Sequence, residues 1–115
     1  MYNSQTYLKS SNRANAYLVK EILDADPKKL LLKIYDFAIV NSKRGDLAKT
    51  NKALSELINA LNFESEETKE ISLGLMRLYQ FCQEQMRQKN YDIVVQILSD
   101  LRETWITAFR TVENK

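Results

Sequence analysis

The stretch DADPKKLLLKIYDFAIVNSKRGD, residues 24–46, decides the fold class of this sequence because it contains one helix together with both of its ends. Asp26 is a good N-cap residue and Pro27 suits the first helical turn, so a helix is predicted to begin there. Gly45 marks its end, and Asp46 is placed to cap the next helix. These residues therefore predict two consecutive helices joined by a short turn.

The helix that Asp46 caps and two more after it are predicted from apolar residues that recur every three or four positions. They cover about residues 47–63, residues 66–89 after a Ser65 cap, and the residues that follow Asn90. Their predicted core residues are, in order, Leu47, Thr50, Leu54, Leu57, Ile58 and Leu61; Ile71, Leu75, Leu78, Cys82 and Met86; and Val94, Leu98, Leu101, Trp105, Ala108 and Val112. Because short connections imply antiparallel neighbours, the predicted fold class is all-α, an antiparallel up-down four-helix bundle.

The N-terminal residues lack the long apolar pattern of the later helices. Residues 14–23 favour a short first helix. Residues 1–12 favour a mobile tail, which is mostly polar but contains Tyr2, Tyr7 and Leu8. The sequence contains no linker composition, so residues 1–115 are predicted to form one domain with the bundle at residues 13–115.

Composition excludes several classes of function. The chain has two glycines and one proline in 115 residues, which argues against a β-sandwich or barrel. It has no histidine, which removes the commonest general base and the usual di-iron bundle motif, so neither an enzyme nor a cofactor or metal site is expected. A net charge of +2 with scattered basic residues does not indicate nucleic acid. A single cysteine and the lack of a signal or membrane span favour a cytoplasmic protein.

The first long helix is apolar on two faces. A helical wheel places Leu30, Ile34, Phe37 and Asn41 on the predicted core face, with Ala38 at its edge. Four apolar residues and one tyrosine are predicted to point away from the core, on this helix and on the later helix that Ser65 caps: Leu32, Tyr35, Ile39, Leu73 and Met76.

Two interpretations of these outward residues remain open. Either the chain's own N-terminal residues cover them, or they line a groove for an amphipathic or extended partner segment. Both hold if the tail is a displaceable cover, in which case Tyr7 and Leu8 are the residues that occlude the groove. The predicted partner-binding set therefore consists of Tyr7, Leu8, Leu32, Tyr35, Ile39, Leu73 and Met76.

The sequence contains, in chain order, the motifs NAYL, DADPKKLLLKIYDFAI, LINALNFESEETKEISLGLMRLYQF and LSDLRETWITAF. Together these four motifs resemble the FliS family of flagellin-specific export chaperones. DADPKKLLLKIYDFAI (residues 24–39) is similar to the opening of that family's second helix, and NAYL (residues 15–18) to its first tyrosine-containing helix. LINALNFESEETKEISLGLMRLYQF (residues 57–81) and LSDLRETWITAF (residues 98–109) resemble its central turn and terminal Leu-Arg-x-x-Trp element. Phe37 and Asn62 depart from the glycine and aspartate usual in the family. The helices are also shorter, by about two turns in each of two stretches.

The resemblance implies a cytoplasmic chaperone that binds the disordered C-terminal segment of flagellin. Such a protein prevents premature polymerisation and delivers its cargo to the type III export apparatus of the flagellum, through the gate protein FlhA. The regulators FliW and FlgM are possible further partners, and the protein is expected to be a monomer or a weak dimer that binds neither nucleic acid nor membrane. The alternative is a structural helical bundle that self-associates through Leu32, Tyr35 and Ile39, without flagellin cargo.

Three residues or pairs have structural interpretations. Asp36 and Arg102 are predicted to tie two helices together. Trp105 lies within the heptad stripe of its helix and is predicted to be core rather than a ligand platform. Cys82 is predicted to be a small core residue and not a reactive thiol.

Overall fold

The computed structural model describes residues 27–113, which form four helices. They are α1 (Pro27–Lys43), α2 (Leu47–Asn59), α3 (Glu66–Arg87) and α4 (Tyr91–Glu113). No strand occurs in this part of the chain, so the all-α prediction is confirmed. The predicted helix at residues 14–23, the tail at residues 1–12, and Tyr7 and Leu8 lie outside the described residues.

The chain divides into two compact units, Met1–Leu30 and Leu31–Lys115. Of the first unit the structure describes only the opening turn of α1, and the bundle belongs to the second. The prediction of one domain spanning residues 1–115 stays a prediction.

Helix ends follow the local sequence closely. The Asp46 carboxylate accepts a hydrogen bond from the Lys49 backbone N–H at 3.0 Å, which caps α2. The Ser65 hydroxyl accepts one from the Glu67 N–H at 3.2 Å and caps α3. Gly45 has φ +69°, the left-handed conformation that glycine adopts without steric cost. These predicted caps and the predicted stop are therefore confirmed.

The end of α2 differs from its prediction, because the helix stops at Asn59 rather than near Phe63. The connection instead runs along the first turns of α3. The Asn62 carbonyl accepts hydrogen bonds there from the Ser72 hydroxyl at 2.7 Å and the Thr68 hydroxyl at 3.1 Å. Bonds to a neighbouring helix thus replace the helical bonds that the apolar pattern had predicted.

Each pair of sequential helices is joined by a short connection, and the first and last helices close the bundle. The Gln83 amide of α3 donates to the Asn51 carbonyl and the Ser55 hydroxyl of α2, at 3.2 and 3.0 Å. Helix α4 packs on α3. It also contacts α1 through Arg102, whose Nε donates to the Asp36 carboxylate at 2.6 Å. This ion pair confirms the predicted tie between helices, and the arrangement is the predicted up-down bundle.

The core contains buried side chains from all four helices. Its buried apolar members are Tyr35, Ala38, Ala53, Leu54, Leu57, Tyr79, Cys82, Met86, Val94 and Leu98. Cys82 is therefore core, as predicted, and Trp105 is partly buried against this cluster. On α2, α3 and α4, four predicted core residues are instead exposed: Leu47, Ile71, Ala108 and Val112. All four lie within two turns of a helix end, where fewer neighbouring helices surround a side chain. A helical wheel gives direction and not depth along the bundle.

Candidate functional site

Helix α1 turns a different face to the core than its apolar pattern predicts. Tyr35, Ala38 and Ser42 are completely buried, whereas Leu30 is exposed and Phe37 is 48% exposed. The prediction that Tyr35 faces away from the core is therefore wrong, as is the assignment of Leu30 and Phe37 to the core. Tyr35 has no exposed surface with which to contact a partner in this structure.

The burial of Tyr35 is explained by a hydrogen-bonded cluster inside the bundle. The hydroxyls of Tyr35 and Tyr79 are 2.5 Å apart, and the indole N–H of Trp105 donates to the Tyr35 hydroxyl at 3.0 Å. The two tyrosine rings meet edge to face, with centroids 6.4 Å apart. Because the three residues lie on α1, α3 and α4, this cluster determines how α1 is rotated about its axis.

Burial changes the acid–base properties of this region. Desolvation raises the pKa of both the Tyr35 and the Tyr79 hydroxyl above the ordinary value of 10.0. Burial also raises the pKa of the Cys82 thiol from 9.0 to about 11. All three groups are therefore neutral at physiological pH. A thiol that is buried and protonated is a poor nucleophile, so Cys82 is a core side chain and not a reactive thiol.

One sequence signal indicated the buried face of α1. Leu31, Tyr35, Ala38 and Ser42 follow one another at intervals of four, three and four residues, which is the seam spacing of a helical bundle. This stripe is less hydrophobic than the face that the helical wheel predicted as core, because it contains a hydroxyl group at two positions. The partners that satisfy the Tyr35 hydroxyl are 44 and 70 residues away in sequence, so hydrophobicity alone favoured the wrong face.

The rotation of α1 leaves an apolar groove open between α1 and α2. The groove has a volume of about 330 Å³, and its lining consists of Lys33, Ile34, Phe37, Lys52, Ala53 and Glu56. Phe37 is the largest apolar side chain in it. The short Ala53 side chain allows a ligand to approach the α2 backbone. The groove lies entirely within the compact unit that begins at Leu31.

The remaining predicted partner residues lie elsewhere in the bundle. Leu32 and Ile39 are half-buried on α1, and Leu73 and Met76 are half-buried on α3. None of the four lines the α1–α2 groove. They are therefore not part of that groove, and their binding role stays a prediction. The groove was not predicted from the sequence because the helical wheel placed Phe37 on the core face.

The described residues contain neither a metal-binding cluster nor a membrane-spanning helix. No group of three or more His, Cys, Asp or Glu side chains within residues 27–113 is arranged to hold a metal ion. Across those same residues, no helix has the length and apolarity needed to span a membrane. A second cavity, of about 470 Å³, lies at the α3–α4 turn. It is lined by Gln85, Lys89, Asn90, Tyr91, Asp92 and Ile93.

Comparisons with known proteins identified no relative of this chain. No family model matches the sequence, and neither a curated protein nor a solved structure is detectably similar to it.

Proposed function

We propose that this protein binds an amphipathic segment of another protein and holds it against the helical bundle. The observation that carries the proposal is the apolar groove between α1 and α2, in which Phe37 is 48% exposed. A phenylalanine at the middle of a helix pair, with no described side chain covering it, is typical of a surface that a partner helix occupies.

The energetics are compatible with reversible binding. Complete burial of a phenylalanine side chain from water contributes about 1.5–3 kcal/mol, and Phe37 is already half-buried. A partner therefore gains about 1 kcal/mol from this residue, plus the contributions of its own apolar side chains. A partner that folds on binding must also offset its ordering cost, which limits the affinity.

The C-terminal segment of flagellin is the first partner to test. It is supported by the resemblance of four sequence motifs to the FliS family, and by the all-α up-down bundle, the fold that the resemblance implies. In that function the protein acts in the cytoplasm, keeps flagellin from polymerising and passes it to FlhA, with FliW and FlgM as candidate regulators. Tyr7 and Leu8 would then be the residues of the chain that compete with the cargo.

The test is a binding measurement with the flagellin of the same organism, by isothermal titration calorimetry. We expect full-length flagellin to bind and flagellin lacking its C-terminal segment not to bind. Equal affinity for the two forms, or no binding of either, would exclude the flagellin proposal.

Two variants on opposite sides of α1 identify the contact surface. Phe37→Glu is expected to weaken flagellin binding at least tenfold. Leu32→Glu is its matched control, because Leu32 lies outside the groove on the same helix. If Leu32→Glu alone weakens flagellin binding and leaves the melting temperature unchanged, the contact surface is instead the one predicted from the sequence, with Leu32 and Ile39.

Self-association is the second candidate function. The surface first predicted for it included Tyr35, which is buried, so another surface must be used. Phe81 on α3 and Ile93 on α4 are each 44% exposed. These two side chains favour the α3–α4 pair as the self-association surface. Sedimentation equilibrium distinguishes the candidates: a stable dimer that Phe81→Glu dissociates, together with no cargo binding, would favour self-association.

A further inference from the structure

The charged residues of the bundle are divided unequally between its two halves. Within the unit that begins at Leu31, residues 31–59 carry five basic and three acidic residues, whereas residues 60–113 carry six basic and nine acidic ones. One of the acids in the first half, Asp36, is already bound to Arg102 of α4. The α1–α2 half is therefore positive and the α3–α4 half negative, although the whole chain has a net charge of only +2.

Part of this positive charge borders the apolar groove. Lys52 lines the groove from α2, and Lys49 lies one turn before it on the same edge and is exposed. Glu56 lies one turn beyond Lys52 and is the single acid in the groove lining. Lysines beside an apolar groove attract carboxylates on the flanks of an incoming helix, and they raise the association rate more than the affinity.

We propose that the α1–α2 groove binds an acidic amphipathic helix of about 13 residues, and this proposal rests on the proposed function. The length follows from α2, whose 13 residues extend for about 20 Å and provide one wall of the groove. The occupant places apolar side chains against Ile34, Phe37 and Ala53 and its carboxylates near Lys49 and Lys52. It lies alongside α1 and α2 as an additional helix of the bundle.

Charge argues against a second copy of this chain bound through the same groove. A two-fold symmetric dimer would bring Lys49 and Lys52 of both copies to one interface, and like charges in contact oppose association. An acidic helix from another protein instead meets charges of opposite sign along the α2 edge.

The experiment uses two synthetic 18-residue peptides with the same leucine face, one with glutamate and one with lysine on its polar face. Affinity for the full-length chain is measured by fluorescence anisotropy at low and at physiological salt. We expect the glutamate peptide to bind at least tenfold more tightly than the lysine peptide. This preference should shrink as salt is added, because screening weakens attraction between exposed charges.

Variants assign the preference to the groove. Phe37→Glu should weaken binding of the glutamate peptide at least tenfold, and the double variant Lys49→Glu/Lys52→Glu should reverse the preference between the peptides. The matched control is Lys69→Glu/Arg77→Glu on α3, which makes the same change in net charge at exposed positions outside the groove. The control should leave the preference unchanged.

The outcomes separate this proposal from the flagellin proposal. If flagellin binds the wild-type chain and the Phe37→Glu variant equally, the groove assignment is overturned while the flagellin function stands. If the glutamate peptide binds in a manner that depends on Phe37 and flagellin does not bind, the groove assignment stands and the flagellin function is excluded. Equal binding of the two peptides, or equal effects of the two double variants, would overturn the acidic preference.

Discussion

Replacement of Tyr35 by phenylalanine tests how the buried cluster positions α1. Tyr35 is the central member, since its hydroxyl bonds to the Tyr79 hydroxyl and accepts the Trp105 indole N–H. Its loss removes the hydrogen bond between the buried Tyr79 hydroxyl and Tyr35, at a cost of about 1–3 kcal/mol, and leaves Trp105 as the remaining polar neighbour of Tyr79. The half-buried Trp105 N–H also loses its acceptor, so Tyr35→Phe should lower the free energy of unfolding by about 2–3 kcal/mol in total.

Tyr79→Phe provides the matched control, because it removes a hydroxyl of the same burial from the other side of the bond. Tyr35 then still accepts from Trp105, and a single hydrogen bond is lost, which costs about 1 kcal/mol. In the double variant no buried hydroxyl remains unpaired. Its expected cost of about 2 kcal/mol is therefore smaller than the sum of the two single costs.

The assay is urea unfolding followed by circular dichroism and by the fluorescence of Trp105, the one tryptophan. The denaturant dependence of the free energy should be the same in all variants, so that midpoint shifts report stability. A Tyr79→Phe cost equal to or above that of Tyr35→Phe would refute the central role of Tyr35. Additive costs in the double variant would refute the coupling of the two hydroxyls.

Three further predictions concern single residues. Thr50→Val should raise the free energy of unfolding by about 1 kcal/mol in urea unfolding, because Thr50 Oγ1 is buried with no hydrogen-bond partner among the described residues; a loss of stability would show that the hydroxyl is satisfied. Gly45→Ala should cost at least about 1–2 kcal/mol in the same assay, since φ is +69° and a Cβ would lie 2.9 Å from the Tyr91 ring. The control variant is Gly74→Ala, in a helix with open space around the position, and it should raise the free energy of unfolding by about 0.5–1 kcal/mol. Similar effects at the two glycines would contradict the requirement for glycine at position 45. Burial raises the pKa of the Cys82 thiol from 9.0 to about 11. Between these two pH values the folded state keeps the thiol proton and the unfolded state loses it. The free energy of unfolding is therefore retained below pH 9 and falls by about 2–3 kcal/mol as the pH rises to 11. The decline between pH 9 and 10 should be smaller in Cys82→Ala, and an equal decline would assign it to other groups.

The helix ends were predictable because they depend on neighbouring residues. Asp46 and Ser65 bond to backbone groups three and two residues away, and Gly45 needs only its own lack of a side chain. The pair of Asp36 and Arg102 was also predicted, through the resemblance to a known family. The end of α2 at Asn59 was not predictable from periodicity, because Ser72 and Thr68 of the next helix bind the Asn62 carbonyl.

The candidate site was predictable only in part. The sequence indicated that α1 has more apolar surface than one core face can bury, and this remains true of the structure. The prediction nevertheless assigned Tyr35 to the open side and Phe37 to the core, which is the reverse of what the structure has. The groove and its lysine edge consequently lie between α1 and α2.

By itself the sequence determined the four helices and the caps of α2 and α3, because hydrogen bonds and steric effects within about four residues govern these features. The predicted Asp26 cap of α1 lies outside the described residues. Only the tertiary structure decided which side of α1 faces inward. Two stripes of that helix can each pack against a core, and hydrophobicity alone favours the one that the structure leaves partly exposed. The choice depends on Tyr79 and Trp105, whose polar groups lie where the Tyr35 hydroxyl can pair with them, and only the folded bundle brings these residues together.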